Sequence, residues 1–308
     1  MSVDWLIPAL LTIVTAATPL VFAAVGEVVV EKAGVLNLGV EGMMIIGAIA
    51  AFATAVSTGS EVLAILAGAG AGILLAIIFG VLTVYLQSNQ VATGLALTIF
   101  GLGLSALIGH SYVGKTFGGL AKLDIPGLSD IPVIGPVLFG HDALVYLSVV
   151  SVALVAWVLT RTRCGLLIRA VGENHDAAHS IGYSVTLIRM GAIMFGGAMA
   201  GIGGAYLSVA YTPLWVENMT AGRGWIALAL VVFASWKPWR AFFGAYLFGG
   251  ITIIQLYAQG MGVEVSAQFL SMLPYIATIL VLVVISRDSA RARLDAPACL
   301  GKNFHASG

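Results

Sequence analysis

Apolar runs recur along this chain at lengths that leave few folds open to it. About 20 consecutive apolar residues cross a hydrocarbon core. The sequence offers nine such candidates, roughly 4–25, 38–58, 62–86, 90–109, 142–160, 187–211, 224–236, 240–259 and 266–286. The seventh is too short to cross alone and reads as a half-helix or as part of a longer element. A soluble chain could not cover this much apolar surface: 60% of its 308 residues are hydrophobic and 9% charged, against about 25% charged in soluble domains. The fold class expected is all-α, a polytopic integral membrane protein of about nine transmembrane helices over residues 1–286. A cytoplasmic tail, 287–308, follows. The first run is not a signal peptide, since MSVDW carries no positive charge and the run is too long.

Orientation follows from Lys and Arg, which favour the cytoplasmic side. Threading back from a cytoplasmic C-terminus puts eleven inside, namely Lys32, Arg161, Arg163, Arg169, Arg189, Lys237, Arg240, Arg287, Arg291, Arg293 and Lys302. Lys115, Lys122 and Arg223 fall outside. Nine spans then put the N-terminus outside. The formal net charge is zero, so nothing points to nucleic acid. Cys164 and Cys299 form no metal or disulfide pattern.

The stretch GHSYVGKT, 109–116, fits the phosphate-loop pattern G-x-x-x-x-G-K-[ST]. That loop works only between a buried strand and a helix N-terminus, where backbone N–H groups cradle the phosphates. Here it follows a membrane span and opens an outside loop, 110–141, whose IPGLSDIPVIGP run breaks helices. It reads as a chance match.

Polarity concentrates in three places. EVVVEKAGVLNLGVEGMM (27–44) sets Glu27, Glu31, Lys32, Asn37 and Glu41 among apolar residues, with Gly34, Gly39 and Gly42 as breakers. It reads as a helix broken near the cytoplasmic face, a feature tolerated only against protein or a water-filled path. Glu27, Glu31 and Lys32 are expected in a solvated loop. Asn37 and Glu41 lie deeper, as pathway residues or as structural polar groups. LQSNQVATGLALTIFGLGLS (86–105) brings Asn89, Gln90, Thr93 and Thr98 into a span. Gln90, Thr93 and Gly94 share a face that Thr98 does not share with Thr93. That face lines a pathway or bonds to a neighbouring helix.

The third place is RCGLLIRAVGENHDAAHSIGYS (163–184). Asn174 is the expected N-cap, Asp176 sits in the first turn, and Gly182 ends the helix. A two-turn helix is unstable alone in water and needs something to pack on. A partner protein is one reading, and the chain's own surface or the lipid surface is the other. His175 and His179 stand at metal spacing, but HDAAH lacks the glutamate of H-E-x-x-H and a third ligand, so no metal is expected. Gly197 and Gly201 are packing glycines. Asn218-Met219-Thr220 fits a glycosylation sequon.

Four segments in order, EKAGVLNLGVEGMMIIGA (31–48), SNQVATGLALTIFGLGL (88–104), IRAVGENHDAAHSIGYS (168–184) and GGAMAGIGGAYLS (196–208), carry a resemblance. With GRGWIALAL (222–230), the chain resembles the permease subunits of ABC importers that serve ribose, branched-chain amino acids and nucleosides. The nucleoside, or simple-sugar, branch is the nearest likeness. The resemblance implies a type II-like importer permease fold in a bacterial-type cytoplasmic membrane. It implies an ABC ATPase subunit, a second permease subunit (a paralogue rather than a second copy) and an extracytoplasmic binding protein as partners. ATP is then bound by the ATPase, and this chain needs no cofactor and is no enzyme. The family's coupling helix maps to Gly172, Glu173, Asn174, Ala177, Ala178 and Gly182. The position aligned to Thr98 often carries Asn in the nucleoside branch, a departure here.

The substrate expected is a nucleoside, with a simple sugar or a riboflavin-like compound as alternatives. Pathway candidates are Asn37, Glu41, Asn89, Gln90, Thr93, Thr98, Phe100 and Trp225. Phe195 and Phe233 are further rings that stack on a solute or pack in the bundle. A membrane enzyme lacks a Ser/His/Asp or HExxH set here. A channel or secondary transporter would leave the 172–182 helix without a purpose. The tail DAPACLGKNFHASG (295–308) is polar and expected to be mobile.

Overall fold

The structure is a computed structural model that describes residues 6–123, 134–260 and 295–305, with isolated helical positions between 269 and 283. Its helices in chain order are α1 (Leu6–Lys32), α2 (Val40–Thr58), α3 (Glu61–Gly80), α4 (Gln90–Gly109), α5 (Ile134–Phe139) and α6 (Ala143–Arg161). They continue as α7 (Arg163–Glu173), α8 (His175–Ser180), α9 (Val185–Tyr206), α10 (Arg223–Phe233) and α11 (Pro238–Gly260). Helices α3 and α9 each run on into a five-residue π segment. The only pairing outside helices, among the described residues, is two isolated β-bridges.

Seven helices in this set are long and apolar enough to cross a membrane. They match the first six expected spans and the eighth. The seventh is α10, eleven residues long, or about 16 Å at 1.5 Å per residue. That is half a hydrocarbon core. The ninth, 266–286, lies for the most part outside the described residues.

The first span is longer than its apolar run suggests. Helix α1 continues past residue 25 to Lys32 and carries Glu27 and Glu31 inside the bundle, at 0% and 1% exposure. The solvated-loop expectation for these two acids is therefore wrong. Each has found a distant partner: Asn37 Nδ2 donates to Glu27 Oε1 at 2.9 Å, and Trp236 Nε1 to Glu31 Oε2 at 2.6 Å. Lys32, at the helix end, donates to the Asp295 carbonyl.

Helices α1, α2, α3 and α9 form the centre, with α4 against α2 and α6, α10 and α11 against α1. Small residues let the backbones touch, as is usual in lipid. A methyl group on Gly201 would lie 2.2 Å from the Gly68 carbonyl oxygen, and one on Gly204 1.8 Å from that of Met44. The Gly197–Gly201 spacing is thus a helix contact. At one end of the bundle Asp142 caps α6 and accepts the Tyr206 hydroxyl at 3.1 Å. The GHSYVGKT stretch lies at this end and runs on beside Pro213 and Leu214. No strand precedes it and no helix begins at its Lys115-Thr116.

Candidate functional site

Residues 33–39 break the chain between α1 and α2 within the bundle. Gly34 takes a left-handed φ of +83°. The backbone groups this break frees find partners in other helices, in the 295–305 segment and within the break itself, as burial in a membrane requires. Gln90 Oε1 accepts from Leu36 N at 2.8 Å. The Leu38 carbonyl accepts from Thr98 Oγ1 at 3.0 Å and from Trp225 Nε1 at 3.4 Å. Asn37 Oδ1 accepts from Gly39 N at 3.0 Å. Thr98 lies eight residues beyond the start of α4, so the break reaches about 12 Å along that helix.

Glu41 sits at the crossing of two helix starts. It lies in the first turn of α2, and its carboxylate also caps α10. Oε1 accepts from Thr220 Oγ1 at 2.5 Å and Gly222 N at 2.8 Å, and Oε2 from Gly224 N at 2.6 Å. Helix N-termini expose unpaired N–H groups and a partial positive charge, which a carboxylate answers. Around this cap Asn218 and Ala221 hold φ values of +56° and +46°. Such angles are strained for residues with a Cβ. Thr220 is wholly buried, so the hydroxyl of the 218–220 sequon is already committed to Glu41.

Of the expected pathway residues, Asn37, Glu41, Gln90, Thr98 and Trp225 converge on the break. Asn89 is exposed and only caps α4, accepting from Ala92 N. Thr93 turns aside to Ser88 at 2.8 Å. The shared polar face is therefore Gln90, Gly94 and Thr98 at i, i+4 and i+8, not Gln90, Thr93 and Gly94. Phe100 and Trp225 keep 51% and 45% of their surface open. Phe195 lines an apolar groove of about 490 Å³ between α1, α6, α7 and α9, and Phe233 packs against Gly244. Sequence reasoning missed Trp236, Gly222, Gly224 and Arg189, whose roles depend on partners distant in the chain.

The 172–182 segment forms as expected. Asn174 Oδ1 caps Ala177 N at 2.9 Å, and Gly182, at φ +92°, closes α8. Glu173, Asp176, Ala177, Ile181 and Gly182 face outward, while Gly172, His175 and Ala178 are buried. Gly172 abuts the end of α1: a methyl there would lie 2.1 Å from the Lys32 carbonyl oxygen. Arg189, 2% exposed, ties the segment down. Its Nε donates to the Ala33 carbonyl at 3.2 Å and Nη2 faces His175 Nδ1 at 3.1 Å. Burial first, then the Arg189 charge, holds the His175 imidazole below its ordinary pKa.

Residues 295–305 of the tail are packed against the bundle where a mobile end is expected. They lie along this face. Cys299 N donates to the Gly172 carbonyl at 2.8 Å and Gly301 N to the Gly34 carbonyl at 3.1 Å. Phe304 is buried with Val171, Ala178 and Val185, its ring 5.3 Å and 5.2 Å from those of His175 and His179. Backbone carbonyls left open by the break and by the end of α7 provide the partners that order it.

Residues 9–284 match the family model described as "Branched-chain amino acid transport system / permease component". The chain belongs to this permease family. Three relatives align over nearly full length. The permease is 38% identical to a candidate glucose ABC transporter permease protein of Haloferax volcanii, covering 95% of each chain. It is 34% identical to a nucleoside ABC transporter permease protein of Lactococcus lactis subsp. cremoris, over 91% of this chain and 92% of the relative. It is 32% identical to a guanosine ABC transporter permease protein of Bacillus subtilis, over 93% and 94%. No solved structure matches it. The permease is a multi-pass, membrane-spanning transport subunit of an ABC importer, as its resemblance implied.

Proposed function

We propose that this permease forms one wall of the pathway for a nucleoside. A second permease subunit, a paralogue, supplies the other wall. A binding protein delivers the solute from outside, and an ATPase subunit on the cytoplasmic side binds and hydrolyses ATP. The membrane is a bacterial-type cytoplasmic membrane, with the N-terminus outside and the C-terminus within. The observation that carries the solute reading is the pair of open rings, Phe100 and Trp225, on the helices that hold the break. A purine or pyrimidine base stacks on such faces. The polar groups beside them, on Glu41, Thr98 and Asn37, are already engaged with protein. The pathway surface at the break therefore offers rings rather than a charged pocket, which suits an uncharged solute.

The outward face of α8, with Glu173, Asn174, Ala177, Ala178 at its base and Gly182 at its end, is the coupling helix in this reading. A two-turn helix with its inner side anchored and its outer side open is shaped to enter a groove on the ATPase. A sugar is the second reading, favoured by the relative in Haloferax volcanii. Uptake of tritiated guanosine by cells expressing the whole system separates the two. Inhibition by excess nucleosides and loss in Trp225→Ala support the nucleoside. Inhibition by glucose alone transfers the assignment to a sugar.

A further inference from the structure

We infer that residues 295–305 form a positioning strap that couples α8 to the break between α1 and α2. The inference rests on reading α8 as the coupling helix. The strap touches both elements at once. On the α8 side, Cys299 N and Sγ donate to the carbonyls of Gly172 and Glu173, at 2.8 and 3.4 Å, and Phe304 plugs the small apolar cluster beneath Ala178. On the other side Gly301 N bonds the Gly34 carbonyl in the break itself. Asn303 Nδ2 donates to the Gln87 carbonyl at 2.6 Å and Gln87 Nε2 to that of Phe304 at 2.9 Å. Asn303 Oδ1 accepts from Gln90 Nε2 at 3.3 Å, and Gln90 also holds Leu36.

Arg189 closes the circuit. Its Nη1 donates to the Lys302 carbonyl at 2.9 Å, alongside its contacts with Ala33 and His175. At the strap's start Asp295 is held by Lys237 at 2.8 Å and by Lys32. The strap thus bonds the end of α1, the break, the start of α4 and α7, and packs on α8, within eleven residues. Force on α8 reaches the break through these bonds, because buried hydrogen-bonded elements shift between discrete arrangements. Two shorter links also join these parts: Gly172 packs against Lys32 and Gly34, and Arg189 bridges Ala33 and His175.

The test uses the complete complex in liposomes, with the ATPase, the second permease and the binding protein purified with its native ligand. A Cys164→Ser, Ala177→Cys chain reports ATPase docking by cross-linking, and stimulation of ATP hydrolysis by the loaded binding protein reports coupling. Phe304→Ala and Asn303→Ala are expected to keep the cross-link while stimulation falls on the order of fivefold or more, the scale of a coupling between sites. Phe304→Tyr, which keeps the ring, restores stimulation. Wild-type stimulation in both alanine variants overturns the strap. Parallel loss of cross-link and stimulation also overturns it, since the segment then only helps α8 fold. No cross-link in the chain with an intact strap refutes the coupling-helix reading itself.

Discussion

Arg189 Nη2 lies 3.1 Å from His175 Nδ1, and both side chains are buried. A guanidinium only donates, so Nδ1 accepts and the imidazole is neutral with its proton on Nε2. Protonation would remove the acceptor and set two cations against each other. Lys302 and His305 add to that penalty, and Asp176 opposes it. The folded-state pKa is lowered, so the stabilisation is complete above about 6.5, the ordinary histidine value. It is lost as pH falls through the lower folded value. The melting temperature of the purified complex should be flat at neutral pH and fall on the acid side. His175→Gln, which retains an acceptor, should flatten the acid limb.

Glu41 is the acceptor for two backbone N–H groups and one hydroxyl. Truncation strands buried donors at the start of α10. Each unsatisfied group costs about 1–3 kcal/mol, so Glu41→Ala should lose on the order of 3 kcal/mol or more. Glu41→Gln keeps one accepting oxygen and should fall between. Thermal melting in detergent, with uptake measured beside it, ranks the three chains, and an unshifted melt in Glu41→Ala would refute the cap.

Two glycines on α9 predict opposite outcomes for the same change. Gly204→Ala drives a methyl into the Met44 carbonyl, whereas Gly191 has nothing within 4 Å of the equivalent position. Overpacking costs about 1–3 kcal/mol, and here the obstacle is backbone. Gly204→Ala should sharply reduce the yield of monodisperse protein, while Gly191→Ala should leave it unchanged. Size-exclusion profiles of the two variants decide.

Adjacent alanines on α8 separate docking from folding. Ala177 faces outward and Ala178 packs on Phe304 and Val171. A bulky residue at 177, or Glu173→Ala, should abolish transport while the protein inserts and melts normally. Ala178→Trp should instead lower the melting temperature. Normal uptake by Ala177→Trp at normal expression would contradict the coupling role.

Much of the architecture was legible because membranes write it in length and periodicity. The half-helix was readable in the shortness of 224–236, the α8 helix in Asn174 and Gly182, and the break in Gly34, Gly39 and Gly42. Burial of Glu27 and Glu31 was not, because a charged residue reads as solvated until its partner is known. Trp236 lies 205 residues from Glu31. Thr98 joined Gln90 and Gly94 rather than Thr93 because the Leu38 carbonyl needed a donor. The tail misled for a related reason. Its order comes from backbone carbonyls, which no side-chain pattern announces.

The strap is made after the elements it joins. A chain is synthesised from its N-terminus at roughly 5–20 residues per second, so α1, the break and α8 are in place before residues 295–305 leave the ribosome. Until then the carbonyls of Gly34 and Gly172 lack the partners they have in the finished protein. A product that stops short of residue 295 therefore holds α8 less firmly. Firm seating of α8 thus waits on residues 295–305, which emerge after the spans that precede them already cross the membrane.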